Sequence, residues 1–223
     1  MSDYKPKALY LYQQMKKQAA VITGDIIQSS LLKASQRKRL QQTLETAFAA
    51  VKSRNATFKA EQFRGDSFQA VLTDNPGNAL LSSLIIAARL RKENFKVRLA
   101  IGTGDITFSA KNVVTSDGTA FQHSGPYLDE LKKKSGLISI VTPHPAINQE
   151  WEIHGQVLSY LMERWSALQA EAVLEQLNGL TQAQTAEKLK IKQPAVHQRL
   201  QAAGWHVIVL IINRFEQHIS SMF

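Results

Sequence analysis

The chain has 223 residues, no cysteine and a formal net charge of +9. This length suits one large domain or two small ones. Without cysteine there are no disulfides, thiolate metal sites or cysteine nucleophiles, so any metal must be held by oxygen or histidine ligands. No run of about 18 apolar residues is present, and the first residues lack the apolar centre of a signal peptide. We therefore expect a cytoplasmic protein without a membrane segment.

The positive charge is unevenly distributed along the chain. Residues 1–150 hold 21 Lys and Arg against 12 Asp and Glu, whereas residues 151–223 hold 6 of each. An excess of this sign favours an anionic partner. The asymmetry also favours a chain of two different parts.

The first part of the chain alternates between strand and helix patterns. Short β-branched runs predict strands, and apolar residues spaced three or four apart predict helices. The predicted elements are strand 19–27, helix 36–55, hairpin strands 57–63 and 68–72, helix 78–94, strand 96–108, a shorter helix within 118–134 and strand 136–141. The order β-α-β-β-α-β, followed by α-β, predicts an α+β ferredoxin-like fold whose antiparallel sheet is covered on one face by helices.

Two prolines, Pro143 and Pro145, interrupt this pattern and predict a linker. From Trp151 onward the sequence predicts only helices. The expected organisation is an N-terminal extension (1–18), an α+β domain (19–145) and an all-α domain (150–223).

Two Gly-Asp pairs end or begin strands of the predicted sheet. Asp25 follows Gly24 at the end of the first strand, and Asp66 follows Gly65 at the tip of the hairpin. Because these strands are neighbours in the ferredoxin-like order, the two carboxylates can converge, and they would then repel unless a cation lay between them. Mg²⁺ suits such a pair, since it combines carboxylates with water and phosphate oxygens. The alternative is that each aspartate simply caps its turn.

The segments VITGDIIQSS, FRGDSFQAVL and RLAIGTGDI, followed by GTAF, resemble the SatD family over roughly residues 19–135. That family in turn resembles the class III nucleotide cyclase and GGDEF catalytic domains. The resemblance implies that Asp25 and Asp66 are metal ligands and that Ile26 lends its backbone carbonyl. It also implies binding of a nucleoside triphosphate or a related phosphate with Mg²⁺ or Mn²⁺. Arg64 and Arg98 are nearby candidates for holding phosphate.

The sequence departs from the cyclases at two catalytic positions. Where cyclases carry an asparagine and, four residues later, an arginine that stabilises the transition state, this chain has Gln122 and Pro126. Proline has neither charge nor donor, so that stabilisation is missing. The hairpin also lacks the paired glutamates of a diguanylate cyclase, since it reads Asp66-Ser67-Phe68. We therefore expect that the chain is not an active cyclase.

Residues 180–203 resemble the region 4 helix-turn-helix of sigma factors. Thr181 and Gln184 form a capping box, and Pro194 lies in the first turn of the second helix. If the second helix enters a major groove, its polar side chains read base edges and its basic ones contact phosphates. The predicted DNA-binding residues are Lys190, Lys192, Gln193, His197, Gln198, Arg199 and Gln201. Because residues 151–223 carry no net charge, the alternative is a helical hairpin used only for packing.

The last predicted helix, 206–219, is too apolar to stand alone in water, so it either completes the core or forms a homodimer contact. The sequence thus favours a DNA-binding regulator whose cyclase-like domain senses a phosphorylated ligand. The alternatives are a divalent-metal nucleotidyl or phosphoryl transferase, and a catalytically inactive dimerisation protein.

Overall fold

The computed structural model describes residues 17–63, 65–106, 113 and 116–222. The strands are β1 (Lys17–Ile26), β2 (Lys59–Phe63), β3 (Ser67–Leu72), β4 (Val97–Ile106) and β5 (Ile138–Val141). The α-helices are α1 (Ala34–Lys52), α2 (Ala79–Lys92), α3 (Thr119–Lys134), α4 (Pro145–Arg164), α5 (Ala167–Leu177), α6 (Gln182–Leu189), α7 (Gln193–Ala202) and α8 (Trp205–Met222). Of the predicted N-terminal extension, residues 1–16 lie outside the described residues, and the last two begin β1. No helix within the described ranges is long and apolar enough to cross a bilayer.

The strands form one sheet in the order β2-β3-β1-β4-β5. Among the first four strands every pairing is antiparallel, and the order of the elements confirms the predicted βαββαβ order. β5 instead runs parallel to β4, because α3 carries the chain back across the sheet before β5 begins. The sheet is therefore mixed rather than purely antiparallel.

Helices cover both faces of the sheet, so the prediction of a single covered face was wrong. Successive residues of β1 point to opposite sides, as the pleat requires. Ala20 and Ile22 belong to the core beneath α1 and α2, whereas Val21 packs with Ala120 and Phe121 of α3 on the other side. The apolar pattern of α3 signalled a helix with a buried side but did not indicate which face of the sheet it covers.

α3 lies unusually close to the sheet, at Gly102 of β4. A Cβ atom added at Gly102 would lie 2.3 Å from the carbonyl oxygen of Ala120 and 2.6 Å from the backbone nitrogen of Ser124. The absence of a side chain at this position of β4 is what allows the helix backbone to approach the strand.

The helices from Pro145 onward share one hydrophobic core with the sheet. The predicted linker is wrong: α4 begins at Pro145, where proline's missing N–H is unneeded in the first helical turn. Trp151 and Trp165 are fully buried, in the same cluster as Ile22 of β1 and Phe215 of α8. The expected boundary between residues 145 and 150 therefore lies inside a continuous core.

Hydrogen bonds from arginine side chains also connect the first part of the chain to the helices that follow Pro145. The Arg54 guanidinium donates to the carbonyls of Leu177 and Asn178 at 2.7 Å each, at the C-terminal end of α5. Arg91 of α2 donates to the carbonyl of Trp165 at 2.6 Å. Because these carbonyls end helices and have no intrahelical partner, the arginines satisfy groups that burial would otherwise leave unpaired.

Trp151 also joins α4 to α8 through His218. Burial lowers the pKa of His218, so its ring is neutral near pH 7. The His218 Nδ1 then accepts the indole N–H of Trp151 at 3.1 Å, and the two rings stack with centroids 5.5 Å apart.

Candidate functional site

Two carboxylates meet at the end of the sheet where β1 stops. Asp25 pairs in register with Ser67 of β3, and Asp66 precedes Ser67 at the hairpin turn. The Ser67 hydroxyl lies 3.2 Å from Oδ1 of Asp25 and 3.4 Å from Oδ1 of Asp66. The strand order thus brings together the two residues that the sequence paired.

Gly24 and Phe68 determine how closely β1 and β3 approach here. They are register partners, and a Cβ atom on Gly24 would lie 2.2 Å from Cζ of Phe68. The buried Phe68 ring therefore occupies the space that any larger residue at position 24 would need. Gly24, which precedes Asp25, and Phe68, which lies two residues after Asp66, pack together and align the ends of β1 and β3.

Cationic and hydroxyl groups surround the carboxylates. Nη1 of Arg98 and Nζ of Lys132 each lie 3.8 Å from Oδ2 of Asp25. The Ser29 hydroxyl donates to Oδ2 of Asp66 at 2.5 Å. Arg98, a predicted phosphate ligand, lies beside Asp25 of the pair. Arg64, the other predicted phosphate ligand, lies outside the described residues.

Lys132 is the site residue that sequence reasoning missed. It lies on α3, far along the chain from both aspartates, within the run Lys132-Lys133-Lys134. Leu128 and Leu131 are the buried residues nearest to this run on α3, but three successive lysines carry no signal that singles out the one near Asp25.

The two carboxylates suit a hard divalent cation whose remaining ligands are water and phosphate oxygens. Within the described ranges, no three His, Asp or Glu side chains cluster closely enough to hold a metal alone. Asp25 and Asp66 supply two carboxylates, which is the number Mg²⁺ commonly takes from a protein when phosphate and water complete its shell. Ile26, the predicted carbonyl donor, is tied to the hairpin, since its N–H donates to the Asp66 carbonyl at 2.9 Å. These residues fit a Mg²⁺–phosphate ligand.

The two positions that depart from the cyclases and a further aspartate add no charge beside this pair. Gln122 and Pro126 are both exposed on α3 and offer no positive charge. Asp105 of β4 pairs in register with Gln18, seven positions along β1 from Asp25. That spacing corresponds to about 23 Å, so Asp105 belongs to the opposite end of the sheet.

The second group of predicted site residues lies on α6, α7 and the turn between them. The capping box of α6 is confirmed, since Thr181 and Gln184 exchange backbone-to-side-chain hydrogen bonds of 2.9 and 3.2 Å. Lys190 closes α6 in the left-handed conformation, with φ of 54°. Val196 and Leu200 are buried beneath α7. Gln193, His197, Gln198 and Gln201 of α7 are exposed.

The basic residues of this segment differ in whether they form ion pairs. Lys190 and Lys192 are exposed and pair with no carboxylate in the described part of the chain. Arg199 instead lies 3.5 Å from Glu171 of α5, which also binds Lys92 of α2 at 3.0 Å. Arg199, predicted to contact phosphate, therefore connects α7 to the helices beneath it.

A cavity of about 670 Å³ opens elsewhere, between β5, α3 and α4. Its floor includes Ile138, Ile140 and Trp151, and its rim includes Glu130, Lys134 and Glu152. The cavity contains none of the aspartate-pair residues or the exposed residues of α7.

Comparison with known proteins gives a family and several similar structures. The sequence model of the SatD family matches residues 19–217. A bacterial light-regulated adenylyl cyclase is 14% identical, with a TM-score of 0.45 over 56% of this chain and 76% of that chain. The active GGEEF domain of a diguanylate cyclase from Vibrio cholerae is also 14% identical, with a TM-score of 0.41 over 62% of this chain and 90% of that chain. The guanylyl cyclase Cya2 is 12% identical, with a TM-score of 0.39 over 48% of this chain and 68% of that chain. No curated protein matches.

Proposed function

The chain belongs to the SatD family, and we propose that it is a DNA-binding regulator that contacts duplex DNA through α7. The observation that carries this proposal is the exposed face of α7, where Gln193, His197 and Gln201 follow one another at intervals of four residues. This spacing places them in one row along the helix. The row is long enough to meet successive base edges in a major groove.

The chemistry of this face supports DNA as its partner. Glutamine can donate and accept at adenine simultaneously, so Gln193, Gln198 and Gln201 suit direct readout of bases. Lys190 and Lys192 precede α7 and are free to contact phosphates on either side of the groove. Arg199 holds α7 against α5 through Glu171, so its contribution is to position the helix.

Removing the two free lysines should weaken DNA binding in a salt-dependent way. We expect Lys190→Gln with Lys192→Gln to reduce the slope of log K against log salt concentration by about 2, since each phosphate contact contributes about 0.9. Fluorescence anisotropy with a labelled mixed-sequence duplex, measured over a salt series, gives this slope.

The matched control is the double variant Lys38→Gln with Lys59→Gln, which removes the same charge from exposed positions on α1 and β2. If the salt slope fell by the same amount in both double variants, the proposal would be overturned, because DNA binding would then depend on the net charge of the protein and not on the α7 surface. Absence of duplex binding at low salt would overturn it outright.

A second candidate function is sensing of a phosphate-bearing ligand with a divalent cation, and the shared Ser67 contact of Asp25 and Asp66 favours it. When bound, Mg²⁺ would neutralise the carboxylate pair and present phosphate oxygens to the site. Asp25 and Asp66 would hold the cation, while Arg98 and Lys132, already beside Asp25, would neutralise the phosphates.

This ligand should stabilise the fold. At 100 times its dissociation constant it adds about 2.7 kcal/mol to the free energy of unfolding, which raises the Tm of a chain of this size by roughly 5–10 °C. Differential scanning fluorimetry with ATP or GTP, each with and without Mg²⁺ or Mn²⁺, measures the shift. Asp25→Asn and Asp66→Asn should each abolish it.

The control for this test is Asp74→Asn, the same change at an exposed aspartate beyond the far end of β3. A shift that survives in Asp25→Asn, or that needs no metal, would rule out the carboxylate pair as the cation site. No shift with either nucleotide and either metal would remove ATP and GTP as ligands of the site.

A further inference from the structure

His218 of α8 is buried against Trp151 of α4, and their contact determines the protonation state of the histidine. His218 is only 6% exposed. The indole nitrogen of Trp151 lies 3.1 Å from Nδ1 of His218. An indole nitrogen can only donate a hydrogen bond, so Nδ1 has to accept it and cannot itself carry a proton. The geometry therefore requires a neutral imidazole whose single proton is on Nε2.

Titratable groups from three parts of the described chain lie around this pair of rings. They are His144, which precedes α4, Glu150 and His154 on α4, and Arg214, one turn before His218 on α8. Residues 76–88, which also pack against α8, contain no titratable side chain. The charge of the His218 ring is therefore set by its burial and by these neighbours.

These neighbours give little support to a positive charge on His218. Glu150 is the carboxylate of the group, but Arg214 already binds it through two hydrogen bonds, and His154 lies 3.5 Å from it. Burial lowers the pKa of His218, Arg214 and His144 lower it further, and Glu150 offsets only part of this. Geometry and electrostatics thus both favour the neutral ring.

We propose that His218 and Trp151 form an acid-sensitive latch that holds residues 218–222, the last turn of α8, against α4. A proton on Nδ1 sets an N–H group against the indole N–H, so the hydrogen bond is lost and a charge is buried. Within the described part of this turn, Ile219 is the other fully buried residue. Opening the latch therefore releases this turn, while the earlier turns of α8 keep their own buried residues in the core. The latch depends on neither DNA nor ligand binding.

Acid opens the latch, because the released ring binds a proton more readily than the buried one. An unburied histidine has a pKa of about 6.5, and the pKa of the buried His218 is lower. The released state therefore takes up more protons than the latched state once the pH falls below about 6.5. The stabilisation is complete above this pH and is lost as the pH falls toward the pKa of the buried ring. Within this window the equilibrium constant for closing the latch falls by up to about tenfold per pH unit.

The test is hydrogen exchange of the Trp151 indole N–H in the full chain, followed by NMR from about pH 7.5 to about pH 5. We expect its protection factor, which corrects for the intrinsic effect of pH on exchange, to fall by at least about fivefold. His218→Asn supplies an amide oxygen that accepts the same N–H and does not titrate, so protection should then be independent of pH. His206→Asn, the same change at an exposed histidine of α8, is the matched control and should respond as the wild type does.

Two further measurements separate the latch from general unfolding in acid. The backbone amide of Ile219 should lose protection together with the indole N–H, whereas that of Ile208, near the start of α8, should keep it. Trp151→Phe removes the donor and should raise the pKa of His218, measured from the chemical shifts of its ring. Equal loss of protection at Ile219 and Ile208 would overturn the latch. So would a wild-type protection factor independent of pH, a wild-type response in His218→Asn, or an unchanged pKa of His218 in Trp151→Phe.

Discussion

Trp151→Ala is expected to lower the free energy of unfolding by about 3–5 kcal/mol, which is the usual loss when a large buried aromatic side chain is truncated. The ring is fully buried and packs edge-on against Phe215 at 5.3 Å between centroids. Its N–H is also the hydrogen-bond partner of the buried His218. For a chain of this size the Tm should fall by roughly 10 °C.

The same variant tests whether the sheet and the C-terminal helices unfold together. All three tryptophans follow residue 150, so their fluorescence reports on the helical part, whereas the infrared amide band of the strands reports on the sheet. Because both parts share one core, the two signals should move together in Trp151→Ala. A sheet transition that stays at the wild-type temperature would show two independent domains. Trp151→Phe, which keeps a ring but removes the N–H, should cost less, about 1–2 kcal/mol.

Gly102→Ala is expected to cost about 3 kcal/mol, because even one methyl group has no space between β4 and α3. The atoms it would meet belong to the backbone of α3, including the Ala120 carbonyl oxygen at 2.3 Å. A side chain could rotate away, but a backbone cannot, so α3 must shift outward. That shift also moves Lys132 relative to Asp25. Chemical denaturation measures the loss.

Gly125→Ala is the matched control, since it makes the same change within α3 itself. A Cβ atom at Gly125 would meet no atom within 4 Å outside its own helix and chain neighbours, and alanine favours a helix interior over glycine, but the ring of Pro126 disfavours a Cβ atom on the helical residue before it. Because these effects oppose each other, we expect Gly125→Ala to change stability by no more than about 1 kcal/mol in either direction. Equal effects of the two substitutions would contradict the close packing of α3 on the sheet.

A bridge of charged residues links the sheet layer to the proposed DNA-binding helix. Glu171 of α5 binds Lys92 of α2 on one side and Arg199 of α7 on the other. α7 is thus held in a defined position relative to the helices that cover the sheet, and it is not joined to them by a loose segment.

Local patterns in the sequence determined the order and type of the elements. Alternating and helical apolar spacing predicted the strands and helices of residues 19–141, and the βαββαβ order placed Asp25 beside the Asp66 hairpin. The capping box of Thr181 and Gln184 predicted the start of α6, because a cap depends only on residues a few positions apart. These features are short-range, or follow from strand order.

The tertiary structure alone decided which surfaces meet. It placed α3 on the second face of the sheet, brought Lys132 to Asp25 and paired Arg199 with Glu171. It also begins α4 at Pro145, where the sequence predicted a linker. Each of these outcomes depends on contacts between residues distant in the chain. The free energy gained by burying two helices against each other is larger than the local conformational preference of a proline or of a lysine run. Periodicity identifies the buried side of a helix, but the partner of that side is decided by packing of the whole core.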